Sequence, residues 1–397
     1  MNPDFDVLIL GAGLVGSSLA CALEGRGYRV GLVEASLPGE AASGFDERKL
    51  ALAAASVSAL RALEVLPGGA TLSPVRRIHV SRVGDFGTVR LQAIDSGREW
   101  FGQVVLAREL GMALETRLQR LADSQILRPC RVTAIRQTDA MVIVQLHDGS
   151  GFREIGSRLL VAADGTHSFA RAALGIATHC HDYAQTLLVC SLQTDRAADG
   201  TAFERFTDQG PVALLPMGQD YGAICAVQQA QAEQVHALDD AGYADYFQRR
   251  FGWRAGRVER VGRRTAYPLA RVVAERLTTA RCVLVGNAAQ TIHPIGAQGF
   301  NLGLRDALAL AELLTAGVDP GSAEVLRAYV AARCEDRERT LAFSDGLARL
   351  TSNPSLPAQW MRSVGLLSLA YIPGLAAPLV SGAMGFRGRV AKLARGA

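Results

Sequence analysis

The chain has 397 residues, enough for two or three domains that share a sizeable core. Hydrophobic residues make up 49% and charged residues 20%, a balance that excludes a disordered chain and fits a soluble globular one. A net charge of +4 is too diffuse to point to nucleic acid, so no nucleic-acid partner is expected.

The opening reads as strand (Asp6–Leu10), glycine turn, helix (Val15–Gly25) and strand (Arg29–Glu34), a β-α-β unit. A helix is expected around Arg48–Leu63, alternating antiparallel strand over 75–92, and a helix over Arg108–Leu121. Residues 130–160 read as strands with a turn at His147–Ser150. Leu159–Ala163 reads as a short buried strand. Residues 184–229 are strand-rich, with turns at Asp199-Gly200 and Asp208–Gly210. Arg281–Val285 is another buried strand, Asn301–Ala316 a helix, and helices dominate from there on.

The nucleotide-type segments are thus interrupted by a β-rich insert. The expected domains are discontinuous: 1–73, 99–178 and 280–345 for the dinucleotide, 74–98 and 179–279 for the substrate, and 346–397 as a C-terminal helical segment.

Seven cysteines, an odd count without a C-x-x-C pair, suit a reduced cytoplasmic chain. His179, Cys180 and His181 are adjacent, but adjacent side chains rarely converge on one ion, and no metal is expected. Two uncharged stretches have the length of membrane segments. Val7–Leu23 has acidic flanks and patterned glycines, unlike a signal peptide. Ser363–Phe386 is broken by Pro373, Pro378 and four glycines, so it reads as short helices packed on the protein or lying at an interface.

The first motif is Gly11-Ala-Gly13-Leu14-Val15-Gly16. Gly11 permits the turn out of the strand, Gly13 lets backbone approach a diphosphate, and Gly16 lets the helix pack on the strand. The helix start offers unpaired N–H groups to the anion. Glu34, ending the second strand, is placed to accept from ribose hydroxyls. An acid there disfavours a 2′-phosphate, which leaves FAD or NAD.

Asp164-Gly165 follows a buried strand and precedes a helix start near Thr166 or Ser168. Gly286-Asn287 also ends a strand. A loop with His293, Pro294, Gly296 and Gly299 then leads through Phe300 into a helix at Asn301, aiming bare backbone at an electron-rich ligand.

In order and spacing these three segments resemble the GxGxxG, DG and GD motifs of the single-component flavin aromatic hydroxylases. The implied fold is that of p-hydroxybenzoate hydroxylase: α/β, with a Rossmann-like FAD-binding domain, an inserted β-sheet substrate domain and C-terminal helices. The run Gly286–Pro294, the following Gln298–Asp306, Ile78–Ser81 and Glu204–Thr207 resemble the ubiquinone-biosynthesis branch, in particular the 2-polyprenyl-6-methoxyphenol hydroxylases. Two positions depart from the pattern: Asn287 replaces an Asp, and Gly296-Ala297 stands in the order of p-hydroxybenzoate hydroxylase.

The resemblance implies that Arg48 and Arg108 contact FAD, Gln103 lies near the flavin, Val132 sits by the adenine and Asp164 reaches the ribityl–diphosphate region. The loop through Pro294, Gly296, Gly299, Phe300 and Asn301 would meet the isoalloxazine edge, with Asn287 on the ribityl hydroxyls. NAD(P)H would bind transiently, reduced FAD would take up O2 as a flavin hydroperoxide, and a polyprenylated phenol would be hydroxylated. His293 is the candidate polar group near the ring.

After Asp345 no acidic residue remains, while Arg349, Arg362, Arg387, Arg389, Lys392 and Arg395 do. This suits contact with an anionic membrane face or with other subunits of a ubiquinone-biosynthesis complex. Two rival readings stay open: a sister hydroxylase acting at another ring carbon, and a flavin-binding assembly subunit without turnover.

Overall fold

Val7, Leu8, Ile9 and Leu10 are shielded on both faces, as expected for the central strand of a parallel sheet. They belong to β1 (Phe5–Leu10), followed by α1 (Leu14–Leu23) and β2 (Val30–Val33). The computed structural model describes residues 2–37, 48–68, 71–352, 355–372, 374–386 and 390–395. Arg387 and Arg389 lie outside the described residues.

Next come β3 (Lys49–Ala53), α2 (Ala54–Ala62), β4 (Ser73–Val75), β5 (Arg77–Arg82), β6 (Thr88–Gln92), β7 (Gly102–Leu106) and α3 (Ala107–Leu118). β8 (Ser124–Leu127), β9 (Arg131–Gln137), β10 (Val142–His147) and β11 (Phe152–Ala162) precede α4 (Phe169–Ala173). A long β stretch follows: β12 (Thr178–Thr194), β13 (Thr201–Thr207), β14 (Gly210–Met217) and β15 (Asp220–Gln228). Then come α5 (Ala232–His236), α6 (Asp240–Phe251), β16 (Val258–Val261), β17 (Thr265–Ala274), β18 (Thr278–Thr279), β19 (Cys282–Leu284) and β20 (Gln290–Thr291). The chain ends in α7 (Gln298–Leu313), α8 (Ala323–Ser352), α9 (Leu356–Tyr371) and α10 (Ala377–Ala383).

Three sheets result. The first runs β18-β19-β11-β1-β2-β8, with the β9–β10 hairpin added through β11. The second runs β20-β17-β12-β15-β14-β13-β5-β6, with β16 on β12. The third is β3-β7-β4. The architecture is mixed α/β with one largely parallel and one largely antiparallel sheet, as the motifs implied.

Two elements differ from expectation. The helix expected around Arg48–Leu63 begins only at Ala54, because Lys49–Ala53 pairs with β7 as a strand. Leu50-Ala51-Leu52-Ala53 fits a period of two as well as a helix, and the partner strand decides it. The helix expected from Asn301 begins three residues earlier, at Gln298.

The antiparallel sheet has two unlike faces. One carries Leu188, Val212, Leu214 and Tyr221 against α6 residues Tyr243, Phe247 and Phe251. The other carries Leu187, Val189 and Ala226, and joins Phe206 and Val80 to Ile295 of the loop before α7. Among the described residues, no helix is long and apolar enough to cross a membrane.

Candidate active site

β1, β2, β11 and β19 run parallel, so their C-terminal ends share one edge of the sheet. Gly11 follows the first, Glu34 the second, Ala163-Asp164 the third and Gly286 lies two residues past the fourth. Ligands of open parallel sheets bind at such an edge.

The glycine turn rests on close backbone approaches. Gly11 has φ +99°, and a Cβ there would stand 2.7 Å from the Ala163 carbonyl oxygen. A Cβ on Gly16 would stand 2.0 Å from the Gly11 carbonyl oxygen. A Cβ on Gly13 would meet nothing within 4 Å, so the helix start is open on that side. Gly13 caps α1 with no side-chain hydrogen bond, which leaves first-turn N–H groups for an anion.

Glu34 accepts from the Ala12 N–H (2.8 Å) and the Ser36 N–H (3.0 Å), which fixes its carboxylate beside the turn. Its own carbonyl accepts from the Cys130 N–H at 2.8 Å, and this brings Val132, two residues on, to the same end of the sheet. Asp164 accepts from the Ser168 hydroxyl (2.5 Å) and the Ala170 N–H (3.0 Å), so it organises the start of α4. Gly165 takes φ +84°.

The loop after β19 reaches back to α1. A Cβ on Gly286 would lie 3.1 Å from Val15, and one on Gly303 would lie 2.8 Å from Val15 and 3.0 Å from Gly286. Asn287 is exposed at the rim. Gly296 (φ +70°) and Ala297 (φ +52°) are both left-handed, and α7 starts without a side-chain cap. A Cβ on Gly299 would meet nothing within 4 Å. Phe300 packs partly buried on the core of the parallel sheet.

Residues 4–344 match the FAD binding domain family. A ubiquinone hydroxylase of Rhodospirillum rubrum is 37% identical over 374 residues, 91% of this chain and 85% of the relative. The chain belongs to the FAD-dependent ubiquinone hydroxylases. The 3-demethoxyubiquinol 3-hydroxylase of Escherichia coli is 29% identical over 92% of this chain and 95% of that protein. Among solved structures, p-nitrophenol 4-monooxygenase from Pseudomonas putida superposes with a TM-score of 0.79 at 18% identity, covering 98% of this chain and all of the other, which shows a common fold.

In this hydroxylase the residues present fit FAD. Two side-chain-uncapped helix starts, each with open space at a glycine, face one edge of the sheet. Gln103, on β7 opposite Leu52, has a buried Oε1 with no hydrogen-bond partner, a free acceptor of the kind a ligand donor would satisfy. The Arg48 carbonyl accepts from the Ala107 N–H at 2.9 Å, so Arg48 and Arg108 are adjacent in space. Arg108 also pairs with Glu109 at 3.4 Å.

His293 is buried, and its Nδ1 accepts from the Ile295 N–H at 3.3 Å. Burial pushes its pKa down to about 4, so the ring is neutral with its proton on Nε2. Tyr183 meets it edge-on, with ring centroids 4.8 Å apart.

Sequence reading missed the residues that hold this loop. Asp306 accepts from the Gly286 N–H (3.1 Å), Gln290 Nε2 (2.6 Å) and Arg333 Nε (2.7 Å). Arg333 also pairs with Asp336 at 2.7 Å. Burial works to lower the Arg333 pKa, but Asp306 and Asp336 overcome it and hold the guanidinium above its usual range. Asn301 donates to the Ala51 (2.9 Å) and Ala297 (2.7 Å) carbonyls and accepts from the Ala53 N–H (2.9 Å), which clamps β3 to the start of α7. Its amide protons are thereby spent, so a cofactor would meet its backbone. Arg333 lies 27 residues from Asp306, and no local motif announces the pair.

Proposed function

We propose that this enzyme hydroxylates a polyprenylated phenol in ubiquinone biosynthesis, with 2-polyprenyl-6-methoxyphenol as substrate and NAD(P)H and O2 as co-substrates. The observation that carries the reading is the pairing of two open helix starts at the parallel-sheet edge with an apolar face of the antiparallel sheet beside the loop. The domain division expected from the sequence, FAD-binding segments around a β-rich substrate insert, belongs to the same proposal.

FAD, when bound, supplies hydride acceptance and the activation of O2. The chain's own groups bind and orient. Backbone at Gly11, Gly13, Leu14, Val15 and Gly16 takes the diphosphate, and Glu34 the ribose. Val132 borders the adenine. Arg48, Arg108, Asp164-Gly165 and Gln103 line the path to the flavin ring. Gly286-Asn287 takes the ribityl chain, and the segment from Pro294 through Gly296, Gly299 and Phe300 to Asn301 takes the pyrimidine edge. Neutral His293 offers a donor at Nε2. The apolar sheet face keeps water from the reacting ring.

At ~0.8 kcal/mol per buried CH2, each isoprene unit favours an apolar phase by roughly 3–4 kcal/mol, so the substrate stays in the bilayer or in protein. Trp360, Met361 and Val364 on α9, with Tyr371, Ile372 and Leu375 at its end, are exposed, which supports docking of this segment on the cytoplasmic membrane face. Replacing Trp360, Met361 and Val364 by serine should abolish co-flotation with anionic liposomes.

The decisive experiment is mass spectrometry of the quinone precursor in a deletion strain, with NAD(P)H oxidation by the purified yellow protein. A precursor lacking the hydroxyl at ring carbon 1 supports this substrate. Another precursor reassigns the ring position. The absence of both phenol-stimulated oxidation and an accumulating precursor would sink the enzyme reading.

A further inference from the structure

β13 carries a carboxylate in an apolar setting. Alternation along the strand puts Ala202, Glu204 and Phe206 on one face, while Phe203, on the other, meets Phe251 of α6. Across the ladder Glu204 stands opposite Val80 of β5 and Ala213 of β14. Phe206 and Val80 pack against Ile295, so this face turns to the loop that precedes α7. The backbone N–H of Gly296 reaches toward the Glu204 carboxylate. The Glu204 side chain is half-buried on this face.

The other titratable groups at this junction are poor bases or already paired. His293 is neutral with its Nδ1 engaged. Burial raises the pKa of the Tyr183 phenol, which stays protonated. Asp345 is bridged by Arg271 (3.4 Å) and Arg349 (3.0 Å). Arg82, at the end of β5, pairs with Asp85 and Asp208. On β14 the facing residue is Ala213.

We propose that Glu204 takes the proton from the substrate phenol as the ring is hydroxylated. The phenol O–H bond breaks, a carboxyl O–H bond forms, and the electron pair stays on the phenolate oxygen, from which it activates the ring carbons. The carboxyl returns its proton to water after the product has left. No oxidant beyond the O2 of the reaction is needed. Burial pushes the Glu204 pKa up to about 7, against the smaller opposing pull of Gly296, which matches a general base working near neutral pH. This assignment rests on the phenol-hydroxylase reading above.

The test uses FAD-loaded wild type and Glu204→Gln, with 2-geranyl-6-methoxyphenol as probe. Probe affinity, followed by flavin absorbance, should tighten several-fold in wild type as pH rises through about 7. Glu204→Gln should abolish that dependence. Product formation should fall by roughly 100-fold in Glu204→Gln, with more NAD(P)H consumed per product, while Glu204→Asp recovers part. Wild-type yield and pH profile in Glu204→Gln would overturn the proposal. Should the variant not fold, a wild-type affinity and rate that stay flat between pH 6 and 8 would overturn it equally. A wild type that binds the probe but never hydroxylates it overturns the parent reading, a result distinct from hydroxylation that persists in the variant.

Discussion

At the start of α1 the chain turns on Gly11, and the closest approaches that shape the turn are of glycine on backbone, within six residues or against the neighbouring strand end, with the Glu34 carboxylate holding the Ala12 N–H. At the start of α7 the loop is held from afar. Asp306 grips Gly286, Arg333 of α8 grips Asp306, and Asn301 ties in β3, about 250 residues back in the chain. Both present open N–H groups to the same edge. One is rigid through what its residues lack, the other through what distant residues supply. Damage to the first should therefore be all-or-none, whereas damage to the second should be graded and open to rescue.

Gly16→Val tests the first half and should have the largest effect. Its Cβ would stand 2.0 Å from the Gly11 carbonyl oxygen, and neither backbone can retreat without moving β1 or α1. The purified protein should lack flavin absorbance, and its melting temperature should fall sharply. Gly303→Ala is the control. Its Cβ would meet the Val15 side chain at 2.8 Å and the Gly286 Cα at 3.0 Å, where the valine and the loop can give. FAD should be retained, more weakly.

Arg333→Met comes next. It leaves the Asp306 carboxylate buried without its cation, a loss of about 3–5 kcal/mol by urea unfolding. Asp306→Asn in the same chain should recover part of that loss, because an amide carries no charge to strand. An unchanged urea midpoint in Arg333→Met would mean that the ion pair does not hold the loop.

The two regions also differ in how far they could be read in advance. The glycine turn and Asp164 were legible because their geometry follows from residues a few positions apart, and Glu34 because it stands at the end of the second strand of the same β-α-β unit. That a loop leads from Gly286 into a helix near Asn301 was legible too, but not what fixes it, since Asp306–Arg333 and Asn301–Ala53 are pairs of long sequence separation. The same limit hid β3, whose alternation reads as helix until β7 is beside it. It also hid Glu204, whose apolar surroundings exist only once β5 and β14 flank β13.

Acid should act on His293 of the second region and on His79 of β5, outside both regions, and spare the glycine turn of the first, which has no titratable side chain between Gly11 and Gly16. Burial pushes His293 and His79 down to about 4, in His79 with help from Arg254, Arg90 and Arg205. The unfolded chain binds these protons below about 6.5 and the folded chain only below about 4, so stability falls as pH drops through that window. Glu204, raised from 4.5 to about 7, works in the opposite direction between those values. Going from pH 7.5 to 5 should cost wild type about 2 kcal/mol net, and Glu204→Gln about 4. His293→Asn should leave almost no loss. A wild type equally stable at both pH values would mean that the histidines are hydrated in the folded state.

The smallest expected effect concerns the order of Gly296 and Ala297. Both residues sit in the left-handed region, at φ +70° and +52°. The loop therefore needs two consecutive residues there, and this chain has a glycine at only one. Whichever position holds alanine carries strain, which explains how either order can serve the same turn. Ala297→Gly removes the clash between Cβ and carbonyl that makes this conformation costly for alanine. It also gives the unfolded chain more freedom, which offsets part of the gain. The net gain should be about 1 kcal/mol in urea unfolding, with FAD retained. The same substitution at Ala12, in the first region, relieves no left-handed residue and should destabilise or leave stability unchanged. A gain at Ala12 but not at Ala297 would reverse the contrast between the two helix starts.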